Sequence, residues 1–263
     1  MMMTTDDGVD LWWYRDGDGP VVLLIPGRGD SSDVYPTCFC DRLVAAGFSV
    51  LRFDPRDSGR SGDGGGTYTL VTMADDVAAV LDAAGIAAAH VVGLSMGGLI
   101  LVDLAARRPG RVSSATFLSA MSPDPDAGFG EDFFAALDAE PLEATLAAMG
   151  SPSAEDRAWV AAELATAGER AAPRPHAGER HMAASLRFGW PELDRLSAID
   201  APALVVHGTA DRVLPVAHAE ALARGIATSD LHLVDGMGHL PTRREWDAVA
   251  DLVVAHCTRV ERF

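Results

Sequence analysis

His90-Val91-Val92-Gly93-Leu94-Ser95-Met96-Gly97-Gly98-Leu99-Ile100 is the stretch from which the rest of the chain is read. A short apolar run ends in Gly-x-Ser-x-Gly and passes at once into a helical pattern through Leu101, Val102 and Leu104. That is the order strand, sharp turn, helix, with Ser95 at the tip of the turn. Such a turn strains its central residue and brings the chain so close to itself that side chains two residues to either side would clash, hence Gly93 and Gly97. The five-residue pattern alone is a modest signal in a glycine-rich chain, and the flanking strand and helix are what give it weight.

Working outward, strands and helices alternate. Val9 to Trp13 alternates weakly and ends at Asp16-Gly17-Asp18-Gly19-Pro20, and the β-branched run Val21 to Ile25 reads as a buried strand, so a hairpin is expected there. Pro26-Gly27-Arg28-Gly29-Asp30 is a glycine loop, followed by a helix to about Ala46 that Ser31, Ser32 or Asp33 could cap. Ser49 to Phe53 is a strand, Asp54 to Ser61 a turn, Thr69 to Ala84 a helix by the spacing of Leu70, Met73, Val77, Val80 and Leu81, and Ile86 to Gly93 the strand before Ser95. Val112 to Leu118, Pro202 to Gly208 and Asp230 to Val234 are further strands, with helices over about Pro215 to Arg224 and Glu245 to His256. This rhythm predicts an α/β fold with a mostly parallel central sheet flanked by helices. It breaks between Ser122 and Trp190, where helical patterns (Phe129 to Leu137, Leu142 to Met149, Ala154 to Thr166, Glu179 to Phe188) are separated by proline and glycine. The expected organisation is a core of residues 1–121 and 191–263 with a helical cap over 122–190.

Composition narrows the function. A chain of 263 residues with 48% hydrophobic content can bury a large core, and no apolar run reaches the roughly 20 residues of a membrane span. With 38 acidic against 21 basic residues the formal charge is −17, which disfavours nucleic acid and anionic membrane as partners and leaves a small-molecule substrate. Every basic residue is arginine, so Schiff-base chemistry, Ser-Lys dyads and a P-loop lysine are excluded. Cys38, Cys40 and Cys257 have no zinc-type spacing and are expected to be reduced and packed, and Gly62 to Gly66 is no phosphate fingerprint, so neither metal nor cofactor is expected. The start of the chain carries no basic or apolar leader, from which a cytoplasmic protein is expected. The sequence is silent on oligomeric state.

A serine hydroxyl needs a base to take its proton and a carboxylate to orient that base. Asp211, in His207-Gly208-Thr209-Ala210-Asp211-Arg212, and His239, in Gly236-Met237-Gly238-His239, each follow a predicted strand and come in the order Ser, Asp, His. All three therefore emerge at the carboxyl edge of one parallel sheet. Asp235, Asp124 and Asp126 are rival acids, with Asp211 favoured by its context. Main-chain N–H groups of Met96 and of Arg28 are the candidate donors to a developing oxyanion.

These motifs, together with Asp54-x-Arg56-x-x-Gly59-x-Ser61, resemble the α/β-hydrolases over nearly the whole chain. The resemblance implies Ser95 as nucleophile, Asp211 as orienting acid, His239 as base, and Arg28 and Met96 as oxyanion donors. The family's usual His-Gly ahead of the oxyanion loop is Pro26-Gly27 here. Within the family, Arg52-x-Asp54-x-Arg56-Asp57-x-Gly59-Arg60-Ser61, Ala89 to Gly97 and Gly236-Met237-Gly238-His239 are similar to the methylesterases that trim anthracycline polyketides, of the aclacinomycin methylesterase type, with a shorter insertion. A serine at the turn departs from the haloalkane dehalogenase and epoxide hydrolase branches, which attack through aspartate.

The reading that follows is a serine hydrolase of carboxylic esters acting through an acyl-enzyme. Phe133, Phe134, Trp159 and Trp190 of the cap are the expected contacts for a bulky hydrophobic or aromatic acyl part, while His176, His181, Arg174 and Arg180 are expected to be solvated. A cofactor-free haloperoxidase or perhydrolase, and a ligand-binding relative with slow turnover, share the same constellation.

Overall fold

The structure is a computed structural model that describes residues 1–133, 141–150, 152–170, 174, 176–187 and 194–262. Its frame is one eight-stranded sheet in the order β1-β2-β4-β3-β5-β6-β7-β8. The strands are β1 (Met2–Thr4), β2 (Asp10–Asp16), β3 (Val21–Ile25), β4 (Ser49–Phe53), β5 (Ala89–Leu94), β6 (Val112–Leu118), β7 (Ala203–Gly208) and β8 (Ser229–Val234). From β4 to β8 every pairing is parallel, and β1 and β2 are added antiparallel at one edge.

The unbroken apolar runs follow from burial on both faces, and the period of two assigns each residue a side. Leu23 and Ile25 of β3 pack into one core with Val77, Val80 and Leu81 of α2 (Leu70–Ala83) and Leu99, Ile100 and Val102 of α3 (Met96–Arg107). Val22 and Leu24 face the other way, onto Phe39 and Leu43 of α1 (Thr37–Ala45) and the helix that closes the chain.

The hairpin expected between β2 and β3 does not form. β4 lies between them, with Trp13 opposite Phe53 and Val22 opposite Val50, so β2 pairs with β4 and the intervening turn crosses over that strand's start. Ser31 caps only a short 3-10 turn at Ser32–Val34, accepting a hydrogen bond from the Asp33 amide, and α1 starts later, after Pro36. α2 begins at the cap Thr69, whose hydroxyl accepts from the Thr72 amide.

After β6 come α4 (Pro141–Ala148), α5 (Ala154–Arg170), α6 (Ala177–Arg187) and the single turn α7 (Asp194–Ser197). The alternation then resumes with α8 (Ala217–Gly225) between β7 and β8, and α9 (Arg243–Val260) closes the chain. Among the described residues no helix is long and apolar enough to cross a membrane. Cys40 and Cys257 are buried free thiols, and burial pushes both up to about 12.

One buried ion pair ties the turn after β4 to α2. Arg56, 1% exposed, donates from Nε and Nη2 to the two oxygens of Asp76 at 2.7 Å each, and from Nη1 to Asp7 at 2.9 Å. Burial pushes the Asp76 carboxyl up even with the guanidinium in place. Arg56→Ala therefore strands a buried charge and is expected to lower unfolding free energy by about 3 to 5 kcal/mol in denaturant titrations, whereas Arg56→Met with Asp76→Leu should recover most of it. A loss in the single variant below about 1 kcal/mol would mean that the pair does not hold this turn.

Candidate active site

Three parallel strands deliver the predicted residues to one edge of the sheet. β5 ends at Leu94, α3 starts at Met96, and Ser95 between them has φ 54° and ψ −119°. A side-chain carbon at position 93 would lie 2.6 Å from the carbonyl oxygen of Gly97, and one at position 97 would lie 2.5 Å from that of Ile25, so both positions require glycine.

His239 Nε2 is 3.0 Å from Ser95 Oγ, and His239 Nδ1 is 2.8 Å from Asp211 Oδ2. The other Asp211 oxygen accepts from the amides of Val213 at 2.9 Å and Leu214 at 2.8 Å, which leaves the carboxylate no freedom to rotate. Burial alone would raise Asp211, but its electrostatic interaction with His239 and hydrogen bonds from His207 and His239 outweigh it and hold the carboxyl well below the usual carboxylate range. Of the rival acids, Asp235 accepts from the Thr209 hydroxyl at 3.2 Å, and Asp124 caps the Asp126 amide at 3.0 Å. None of the three bonds to His239.

The loop after β3 closes the other side. A side-chain carbon on Gly27 would lie 3.4 Å from Ser95 Cβ, so the main chain of this loop passes directly over the serine. Met96 opens α3 and its N–H has no acceptor within the helix. Arg28, Met96, Ser95 and His239 line one cavity, with Leu94, Met121, Phe133, Met182, Val213 and Leu240 as its apolar wall. Phe133 is buried and stacks on Phe129 at 4.0 Å between ring centres. Trp159 lines a neighbouring cavity instead of this one. Phe134 and Trp190 lie outside the described residues.

Three further histidines matter, none of them legible from a motif. His207 of β7, fully buried, has Nε2 2.9 Å from the Leu214 carbonyl and 3.3 Å from Asp211 Oδ2, so it backs the acid from the side opposite His239. His218 of α8 accepts from the Ser122 amide at 3.1 Å and bonds the Gly128 carbonyl at 2.7 Å, fixing the segment that leaves β6.

His181 corrects an expectation: it is fully buried, not solvated. Its Nδ1 accepts the Gly29 N–H at 2.9 Å while Nε2 donates to the Arg56 carbonyl at 2.8 Å. This clamps α6 to the loop over Ser95, where Gly29, at φ 77°, lies against Gly178. His176 and Arg174 are exposed as expected, and Arg180 is partly exposed and pairs with Asp57 at 2.7 Å.

A hydroxyl bonded to an imidazole that is itself bonded to a fixed carboxylate can be deprotonated as it attacks, and nearby main-chain N–H groups can receive the resulting oxyanion. No group of metal-ligating side chains occurs among the described residues.

The family model described as the alpha/beta hydrolase fold matches residues 20–242. The chain is 41% identical over 144 residues to the rhodomycin D methylesterase DnrP of Streptomyces peucetius, a match covering 53% of this chain and 48% of that one, so it spans about half the length of the curated relatives it matches first. It is 30% identical over 95% of its length to YisY of Bacillus subtilis, an AB hydrolase superfamily protein, covering 96% of that chain. Among solved structures, the esterase RhEst1 of Rhodococcus sp. ECU1013 superposes with a TM-score of 0.79 at 25% identity, covering 97% of this chain and 98% of that one.

The clamp can be tested without a substrate. His181→Ala should slow fluorophosphonate labelling of Ser95 by about tenfold or more, because the loop over Ser95 loses its anchor, while His181→Asn, which keeps one polar anchor, recovers part of the rate. Equal labelling rates in all three proteins, followed by intact mass, would show that the loop is positioned without His181.

Proposed function

The chain belongs to the α/β-hydrolase family, and on that premise we propose that it is a serine esterase. The observation that carries this reading is the hydrogen-bonded chain from Ser95 through His239 to Asp211, at 3.0 and 2.8 Å. Ser95 Oγ attacks the ester carbonyl as His239 Nε2 takes its proton. Asp211 holds the imidazole in the tautomer that leaves Nε2 free and balances the imidazolium that forms. The amides of Met96 and Arg28 receive the tetrahedral oxyanion. His239 returns the proton to the leaving alcohol, and a water activated by the same imidazole releases the acid from Ser95.

Substrate size follows from the cavity and its cover. Helices α4 and α6, from the segment 122–190 that we assign as a cap, contribute Ala144, Thr145, Ala148, Met182 and Ser185 to the wall beside Ser95. With Met121 and Phe133 added, the space suits a bulky hydrophobic or aromatic acid esterified to a small alcohol. The methylesterase named among the relatives supports this assignment.

A panel of aromatic methyl esters, acyl p-nitrophenyl esters, lactones and peroxide with bromide tests it. Hydrolysis of methyl esters of bulky acids should lead; acetyl esters outrunning all bulky ones would remove the large-acyl assignment, and bromination outrunning every hydrolysis would replace it with a haloperoxidase. Ser95→Ala should retain less than about a thousandth of kcat, and Asp211→Asn should fall by about 10⁴ while Asp124→Asn changes little. Turnover in Ser95→Ala near the wild-type rate would exclude Ser95 as nucleophile.

A further inference from the structure

Next to the cavity that holds Ser95 lies a second one of about 170 Å³. Asp30, Thr145 and Leu240 belong to the walls of both. The second cavity combines the indoles of Trp159 and Trp246 and the aliphatic side chains of Val160 and Leu164 with three carboxyl groups, Asp30, Asp33 and Glu163. Its described lining contains no arginine and no histidine.

The three acids are not equivalent. Asp33 is balanced, with Arg60 Nη2 3.0 Å and Arg170 Nη1 3.3 Å from its oxygens. Glu163 lies within electrostatic reach of Arg243, which pairs with Asp247 at 3.0 Å. Asp30 has neither a hydrogen bond nor an ion pair among the described residues, and Arg28 and His239 act on it only at a distance. Burial therefore dominates and raises its carboxyl to about 6 against the opposing influence of Arg28 and His239. It is a half-buried carboxylate on the wall shared by both cavities, without an ion pair among the described residues, which a cationic group of a ligand would neutralise.

We propose that this second cavity is a subsite for a protonated amine, and that the preferred substrates are esters carrying an ammonium group that sits against Asp30 while the ester carbonyl lies at Ser95. The inference rests on the serine esterase reading for its reaction but not for its binding. An ammonium here gains a charge-assisted hydrogen bond to a partly desolvated carboxylate in a cavity that the indoles of Trp159 and Trp246 also line. A neutral group of the same shape leaves that charge unbalanced. Glu163 adds to the negative potential of the cavity, and the formal charge of −17 concentrates cations near the surface as a whole.

The test separates binding from turnover. Titration calorimetry on Ser95→Ala at pH 7.5 compares 4-phenylbutylammonium with 4-phenylbutanol, a comparison that needs no change at position 30. The ammonium should bind at least tenfold more tightly, and Asp30→Asn should bring the two ligands level, with Glu163→Gln narrowing the gap by a smaller factor. Equal affinities, or an advantage that survives Asp30→Asn, overturn the subsite. In parallel, wild-type kcat/KM is measured for methyl 4-(aminomethyl)benzoate and methyl 4-(hydroxymethyl)benzoate. A tenfold or larger preference for the first, carried by KM, supports the subsite. Hydrolysis of both at equal kcat/KM overturns it and leaves the esterase reading standing. Tighter ammonium binding with neither ester hydrolysed sinks the esterase reading and leaves the subsite standing.

Discussion

The structure depends on one close approach of main chain to main chain. Position 97 has room for hydrogen alone because the carbonyl oxygens of Ile25 and Pro26 would lie 2.5 and 2.6 Å from any side-chain carbon there. That contact sets the first turn of α3 against the end of β3. It thereby puts both Met96 and the loop at Gly27 to Arg28 beside the same serine. Ser95 takes its positive φ as the consequence, since the chain must reverse from strand to helix within a single residue. The flanking core makes the strain bearable: Leu94 packs on one face of the sheet while Met96, Leu99 and Ile100 pack on the other.

The helices between β6 and β7 act on the site through its loops. Gly130 and Asp132 donate their amides to the carbonyls of Val213 and Arg212, beside Asp211. The Leu240 amide, next to His239, donates to the Ala148 carbonyl at the end of α4 at 3.0 Å. His181 of α6 takes the Gly29 amide at 2.9 Å. Each of the three loops that follow β3, β7 and β8 into the site is therefore bonded to a different part of this segment, so a shift of the segment would move Asp211, His239 and the loop over Ser95 together.

Local rules made the main elements legible. Glycines two residues to either side of Ser95 have steric causes, and the apolar run of β6 coincides with its observed limits, Val112–Leu118. Asp211 was preferred to Asp235 because an acid in the same loop as the histidine is poorly placed to meet it, and the observed partner of Asp235 is Thr209. The hairpin was misjudged for a non-local reason: a short glycine turn permits β2 and β3 to pair, but insertion of β4 between them is decided by where Leu51 and Phe53 find cover. His181 and His218 carry no sequence signal because each bonds main-chain groups far away in sequence, such as Arg56, 125 residues before His181, and Ser122, 96 before His218. A lone histidine carries no periodic signal of that contact.

The buried histidines and the acid also respond to acidity in a definite order. Burial lowers the pKa of His181 and His218, so in the folded protein both stay neutral where the unfolded chain would already take up protons. Their contribution to stability is complete above the unfolded value of 6.5 and shrinks as pH falls below it toward the folded values. Asp211 has the same sign at lower pH: its folded pKa lies below the ordinary carboxylate value of 3.8, so its contribution persists at every pH above that and declines only beneath it. Protonation, which burial defers to below the ordinary imidazole range, would break the tethers of His181 to Gly29 and of His218 to Ser122, because a protonated Nδ1 cannot accept an amide. The loop over Ser95 is thus held by a histidine that burial keeps neutral, and Asp211 by a carboxyl that its neighbours keep charged.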